Sequence, residues 1–254
     1  MHRGRGNPHN AMIRIIHAAD LHLDSPFESL SAEKASVRRS EQRALLDRIA
    51  AETNERNADL LLLAGDLLDS GSAYAETGEA LLAALGKVRV PVFIAPGNHD
   101  WYSRRSPYAR LSFPDNVHIF CSSRLESIFL PELAVRVWGA GYTSPSCEAL
   151  LRGFHAPAEE DVTQLLVLHA ELGRPNSPYC PVTEAELAQS GIRYAALGHI
   201  HQGSGLRCAG DCFYAWPGCP EGRGFDECGE KGILQINICL LYTSPSPRDR
   251  TRSR

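Results

Sequence analysis

Eight short apolar runs punctuate the chain, at 13–18, 59–64, 90–95, 117–120, 135–140, 164–168, 194–197 and 232–238. Each is rich in leucine or β-branched residues and is closed by a polar or glycine-bearing loop. Continuous rather than alternating apolar runs predict strands covered on both faces. Between them, residues 41–56 and 76–88 carry apolar positions at helical spacing: Leu45, Leu46 and Ile49 in the first, Leu81, Leu82 and Leu85 in the second. These read as crossover helices. Strands alternating with helices place the chain in the α/β class, as one large domain over residues 12–240. Residues 1–11 are polar and lack periodicity, and residues 241–254 are a Ser-, Pro- and Arg-rich stretch with a non-native look. Both are set outside the fold as irregular extensions. No internal repeat is visible.

The informative positions come directly after the runs. Asp20-Leu21-His22 follows the first, Gly65-Asp66-Leu67-Leu68-Asp69 the second, and Pro96-Gly97-Asn98-His99-Asp100 the third. His169 follows the run at 164–168, and Gly198-His199-Ile200-His201 the run at 194–197. Ligand sites of α/β sheets form at the carboxyl ends of strands, so these five loops are expected to meet in one crevice. On an extended segment, residues i and i+2 point the same way, so Asp20 with His22, and His199 with His201, would each offer two ligands to one centre. Gly65, Gly97 and Gly198 would let the backbone approach closely.

Asp20, His22, Asp66, Asn98, His169, His199 and His201 make seven candidate ligands. That is too many for one ion with an open position, and it suits two divalent ions sharing one carboxylate. An Asp/His/Asn set without thiolate fits Mn²⁺, Fe or Zn²⁺, with Mn²⁺ the leading candidate. Of the remaining histidines, His17 lies inside the first predicted strand and reads as a core residue, while His2, His9, His118 and His155 lie away from the strand-end loops.

Composition narrows the choice of partners. A formal charge of −4 and a pI near 6.2 argue against gripping nucleic acid by bulk electrostatics. No segment approaches the roughly 20 apolar residues that span a bilayer, and the first residues lack the apolar core of a secretion signal, so a cytoplasmic location is expected. The eight cysteines then read as reduced. Cys208, Cys212, Cys219 and Cys228 crowd together without a CxxC knuckle, which argues against a structural zinc site.

DLH, GDLLD, GNHD, the isolated His169 and GHIH, in this order, resemble the calcineurin-like metallophosphoesterases over about residues 12–238. HAADLHLDSPF, GDLLDSG, YAALGHIHQG and YAWPGCPEGRGFDE look like the bacterial DNA repair exonuclease branch, the SbcD- and YhaO-like proteins. The resemblance implies two mixed β-sheets in a sandwich flanked by helices. It also implies one ion held by Asp20, His22, Asp66 and His201, and a second by Asp66, Asn98, His169 and His199. His99 would face the scissile phosphate and stabilise charge or protonate the leaving oxygen. Asp69, an acid three residues past the bridging Asp66, would pair with His99 and favour its charged form.

The implied activity is metal-dependent hydrolysis of a phosphodiester, with DNA as the first-choice substrate. Arg104, Arg105, Tyr108 and Arg110, just after GNHD, could line a groove for it. A small-molecule or nucleotide phosphodiesterase or phosphatase is the alternative enzyme. A scaffold subunit for an SMC-like ATPase is the alternative from another class, although the orderly chain ends near Ile238, before the partner-binding region of such relatives. A homodimer is compatible with these readings, and membrane association is not expected.

Overall fold

The computed structural model describes residues 12–223, 227 and 229–239. The expected extensions at 1–11 and 241–254, and Cys228, lie outside the described residues. In chain order the first elements are β1 (Met12–Ala18), α1 (Ala32–Glu55), β2 (Leu60–Leu63), α2 (Ala75–Lys87), β3 (Val92–Ile94) and α3 (Pro107–Arg110). Then come β4 (Val117–Ile119), β5 (Glu126–Leu130), β6 (Val135–Gly139), β7 (Thr163–His169), β8 (Glu171–Leu172) and β9 (Pro181–Val182). The last are α4 (Glu184–Gln189), β10 (Tyr194–Gly198), β11 (Arg207–Ala209), β12 (Cys212–Ala215) and β13 (Leu234–Cys239).

The strands form two mixed sheets. One has the order β13-β1-β2-β3-β4, parallel except for β13, which runs antiparallel to β1 from Met12 opposite Cys239 to His17 opposite Leu234. The other has the order β11-β12-β10-β7-β6-β5, with antiparallel pairs only at its two edges. Successive side chains of a strand point to opposite faces, so each continuous apolar run feeds two layers at once. Ile13, Ile15, Leu60, Leu62 and Phe93 meet Val137, Leu165, Val167, Tyr194 and Ala196 between the sheets. Ile16, Leu61, Leu63, Val92 and Ile94 face outward, onto Leu46 and Ile49 of α1 and Leu81 and Leu85 of α2. On the far side Leu166, Leu168, Ala195 and Leu197 are covered by Leu187 of α4, Trp216, Tyr142 and Leu151. This is the expected sandwich, except that its second outer layer is mostly loop around one six-residue helix.

β2 is four consecutive leucines, a composition that favours helix, yet all four are buried in the sheet. Two-sided packing decides the matter over intrinsic preference. Helix α1 starts at Ala32, well before the expected residue 41. Its first two turns lie largely in solvent and carry no apolar stripe, so they are set by the Ser31 side chain, which accepts from Lys34 N at 3.4 Å, and by good helix formers.

His17 is fully buried between the sheets, with Nδ1 2.9 Å from the Tyr194 hydroxyl. Burial pushes its pKa from 6.5 down to about 3. The folded chain therefore holds a neutral imidazole that the unfolded chain protonates below pH 6.5, and this residue's contribution to stability falls as pH drops from 6.5 toward 3. At pH 5 that loss amounts to about 2 kcal/mol. His17→Leu is expected to flatten the dependence of denaturant midpoint on pH between 7 and 5, whatever its effect at neutral pH. Parallel midpoint-versus-pH curves for variant and parent would refute this.

Candidate metal centre

The parallel strands β1, β2 and β3 of the first sheet, and β7 and β10 of the second, end at the same seam. The loops leaving them are locked together by main-chain bonds: Asp20 N to Gly65 O at 3.0 Å, His22 N to Asp66 O at 2.9 Å, and Leu23 N to Leu67 O at 2.9 Å. Leu21, Leu23, Leu67 and Leu68 are buried, so hydrophobic side chains anchor the same loops that carry the polar ones.

Asp20, His22, Asp66 and His199 adopt left-handed backbone, with φ of 55°, 44°, 49° and 98°. This corrects the expectation that Asp20 with His22, and His199 with His201, converge as alternate residues of an extended segment. The strands have already ended, and the side chains are brought round by left-handed turns that cost about 1–3 kcal/mol each unless the surroundings hold them. Buried Asp100 is one holder. Its carboxylate accepts from Gly97 N at 2.7 Å, Leu67 N at 2.8 Å, and Asp66 N and Leu68 N at 3.2 Å, as well as from the Tyr108 hydroxyl. Space is also tight: a Cβ on Gly97 would lie 2.2 Å from Asp66 Oδ1, and one on Gly198 would lie 1.8 Å from Ala64 O.

Asp66 is central. Its Oδ2 lies 3.3 Å from His169 Nε2 and 3.7 Å from His22 Nε2, while Oδ1 accepts from His99 N at 2.9 Å. Asn98 Oδ1 is 3.0 Å from His169 Nε2. Asp20 Oδ1 is 3.8 Å from His201 Nε2, and both Asp20 oxygens accept from His199 N at 3.1 Å. The His199 ring packs edge-on to His169, centroids 5.2 Å apart, and against Tyr179. All seven sequence-derived ligand candidates are thus gathered at the seam. Asp20, His22 and His201 form one group whose ligand atoms all lie within 4.8 Å of one another, and Asp20, Asp66 and His169 form another.

The protonation states favour a cation here. His22 and His201 place Nδ1 3.0 Å from Asp69 Oδ1 and 2.7 Å from Glu227 Oε1. Carboxylates only accept, so His22 carries its proton on Nδ1 and the lone pair on Nε2. His201 Nδ1 also lies 3.1 Å from Arg223 Nη2, which only donates, and the shorter contact to Glu227 assigns the proton to Nδ1 there too. The two Nε2 atoms nevertheless face each other at 3.1 Å, and burial lowers the pKa of both rings. Two lone pairs and the carboxylates of Asp20 and Asp66 around one point repel unless positive charge lies among them. His169 makes the same point. Its Nδ1 is tied to Ala64 O at 2.9 Å, and although burial opposes it, Asp66 raises its pKa to about 9. Burial is likewise outweighed at Asp66, which His169 holds well below the usual carboxylate range; at Asp20 burial prevails and the pKa is pushed up to about 7. The donor set of oxygens and imidazole nitrogens fits hard or borderline divalent cations.

His99 is partly exposed at the rim, edge-on to His22, with Nδ1 3.1 Å from the main-chain oxygen of Asp69. Here the expected Asp69–His99 side-chain pairing is corrected: the Asp69 carboxylate bonds His22 Nδ1 and Arg223 Nη1, each at 3.0 Å, and only its carbonyl takes His99. Arg104, Arg105 and Arg110 are exposed; Arg105 and Arg110 border a cavity of about 320 Å³ with Tyr74 and Leu111. Tyr108 is buried on Asp100 and lines no groove, because its hydroxyl closes the carboxylate's ring of donors. Three polar residues at the site escaped the sequence reading: Asp100, Arg223 and Glu227. The first was visible as the closing residue of GNHD. The other two lie between β12 and β13, inside the YAWPGCPEGRGFDE segment, where the likeness is visible but no periodicity marks their role.

The family model for calcineurin-like phosphoesterases matches residues 13–203. The chain is 30% identical over 238 residues to the metallophosphoesterase YhaO of Bacillus subtilis, covering 89% of this chain and 57% of that one, so it spans little more than half the relative's length. Its fold is similar to that of a dimetal phosphatase from Danio rerio, with a TM-score of 0.53, 13% identity, and 91% and 99% of the two chains covered. It is also similar to the protein TT1561 of Thermus thermophilus, with a TM-score of 0.50, 14% identity, and 82% and 90% covered. No helix among the described residues is long and apolar enough to cross a membrane.

Proposed function

The chain belongs to the calcineurin-like phosphoesterase family, and from that premise we propose that it hydrolyses phosphodiesters, DNA foremost, using two divalent cations at the seam between its sheets. The observation that carries this reading is the convergence of seven ligand side chains, from five separate strand ends, around Asp66. Asp20, His22, Asp66 and His201 would hold one cation; Asp66, Asn98, His169 and His199 would hold the other. Bound there, the cations supply Lewis acidity toward a phosphate and a nucleophile from water at neutral pH.

The chain's own groups do the rest. Asp66 keeps its charge and would be the ligand common to both positions. The Ala64 and Asp69 oxygens fix the ring orientations of His169 and His22, so no reorganisation is needed when substrate arrives. His99 donates Nδ1–H to the Asp69 carbonyl and would turn Nε2 toward the phosphate or the leaving oxygen. With both ring nitrogens protonated, the Nε2–H would stabilise developing charge or deliver a proton. Its partly exposed rim position lets an extended polymer pass, and Arg104 and Arg105 follow it in sequence. Mn²⁺ is the leading metal.

The test is a substrate panel with Mn²⁺: bis-p-nitrophenyl phosphate, single-stranded DNA, duplex ends, cyclic dinucleotides and phosphomonoesters. Hydrolysis of the generic diester and of DNA is the expected result. Turnover confined to monoesters or to cyclic dinucleotides would replace DNA by a small substrate.

A further inference from the structure

The family-matched segment ends at residue 203, yet the side chains around His201 are completed from beyond it. Glu227 Oε1 accepts the His201 Nδ1 proton at 2.7 Å. Arg223 donates from Nη1 to Asp69 Oδ1 at 3.0 Å, from Nη2 to Glu227 Oε1 at 3.2 Å, and from its main-chain N to Glu227 Oε2 at 2.8 Å, and its Nη2 also abuts His201 Nδ1 at 3.1 Å. Asp69 in turn holds His22 Nδ1. A closed circuit results: Asp69, His22, His201, Glu227, Arg223 and back to Asp69, with the two imidazole Nε2 atoms meeting on its inner side. Both carboxylates are largely shielded, with side chains 20% and 12% exposed, so their hold on the rings is not diluted by water. The same stretch is tied down by Cys219 N on His201 O at 3.1 Å and Lys231 Nζ on Cys219 Sγ at 3.0 Å.

We propose that Glu227 and Arg223 are positioning residues for one cation: they fix the tautomer and ring plane of His201 and, through Asp69, of His22. This rests on the two-cation reading above. The circuit carries two negative charges and one positive, so it keeps net negative charge behind the two rings while Arg223 offsets half of the carboxylate charge. Removing Glu227 frees the His201 ring to rotate and leaves its Nδ1 proton to solvent. Removing Arg223 leaves Asp69 and Glu227 unlinked but still on their histidines, and so costs less. Outer carboxylates that orient metal-binding histidines are worth about 10- to 100-fold in affinity.

The experiment is calorimetric titration of the metal-free full chain with Mn²⁺, with thermal unfolding of each metal-free variant alongside. For Glu227→Ala, one of two Mn²⁺ affinities is expected to fall about 10- to 100-fold, with a smaller fall for Arg223→Ala and partial recovery in Glu227→Gln, whose amide oxygen still accepts from Nδ1. Arg38→Ala, which removes an ion pair to Glu221 in the same stretch, is expected to leave both affinities unchanged. Parent-like binding by Glu227→Ala and Glu227→Gln would overturn the positioning role while leaving the two-cation reading intact. An equal loss in Arg38→Ala would assign the effect to loosening of the whole stretch and overturn it too. A parent chain that takes up no Mn²⁺ would instead sink the reading on which the proposal rests.

Discussion

Asp66→Ala is expected to bind fewer than two Mn²⁺ per chain and to lose turnover of a generic phosphodiester by about 1,000-fold or more. The size follows from position. One carboxylate faces His169 and His22 from the same oxygen and holds the His99 backbone with the other. On the proposed reading its loss would remove the ligand common to both cation positions, and metal chemistry supplies several kcal/mol of transition-state stabilisation, each 1.36 kcal/mol being tenfold in rate. Asp66→Asn isolates charge from shape, since its amide oxygen can still accept from His99 N. It should retain the fold, measured by unfolding of the metal-free chain, and still lose the metal. Full occupancy by two Mn²⁺ in both variants would remove Asp66 from the centre of the site.

His99→Ala is expected to separate binding from chemistry. Elemental analysis should still find two Mn²⁺, because the residue's hydrogen bond to the ligand set comes from its main-chain N–H, which alanine keeps, and its ring meets His22 only edge-on. Turnover should fall about 100- to 10,000-fold, the usual contribution of a positioned general acid or charge stabiliser. The loss should be greater for a substrate with a poor leaving group, which needs the proton, than for a nitrophenyl ester. Parent-like rates on both substrates would take His99 out of the reaction.

The strand-end placements of Asp20, Asp66, Asn98, His169 and His199 were legible because a buried parallel strand announces itself as an apolar run, and the residues just past its end must lie at the sheet's carboxyl edge. The two-layer packing was legible for the same reason: alternate residues of one run serve opposite faces. Strands β5, β8, β9, β11 and β12 were not, being two to five residues long and stabilised by partners far away in sequence. The left-handed turns at Asp20, His22 and Asp66 were hidden because a non-glycine residue takes that backbone only when tertiary contacts hold it. The pairing of Asp69 with His22 in place of His99 was hidden because one residue offers two kinds of acceptor, and only the fold decides which histidine meets which. Arg223 and Glu227 stand in a segment whose family likeness was legible, but their role was not: no element frames them, so their link to His201 exists only in three dimensions.

The pairing of β13 with β1 also bears on how the protein is made. Met12–Ala18 is the first strand among the described residues, and the neighbour that closes its outer side is Leu234–Cys239. Throughout the intervening synthesis, that strand presents unpaired amide groups and the apolar flanks of Ile13 and Ile15 to whatever is nearby. A nascent chain that stalls before residue 234 therefore carries a sticky margin, and every other described element must be made before the outer edge of β1 is closed to intermolecular pairing.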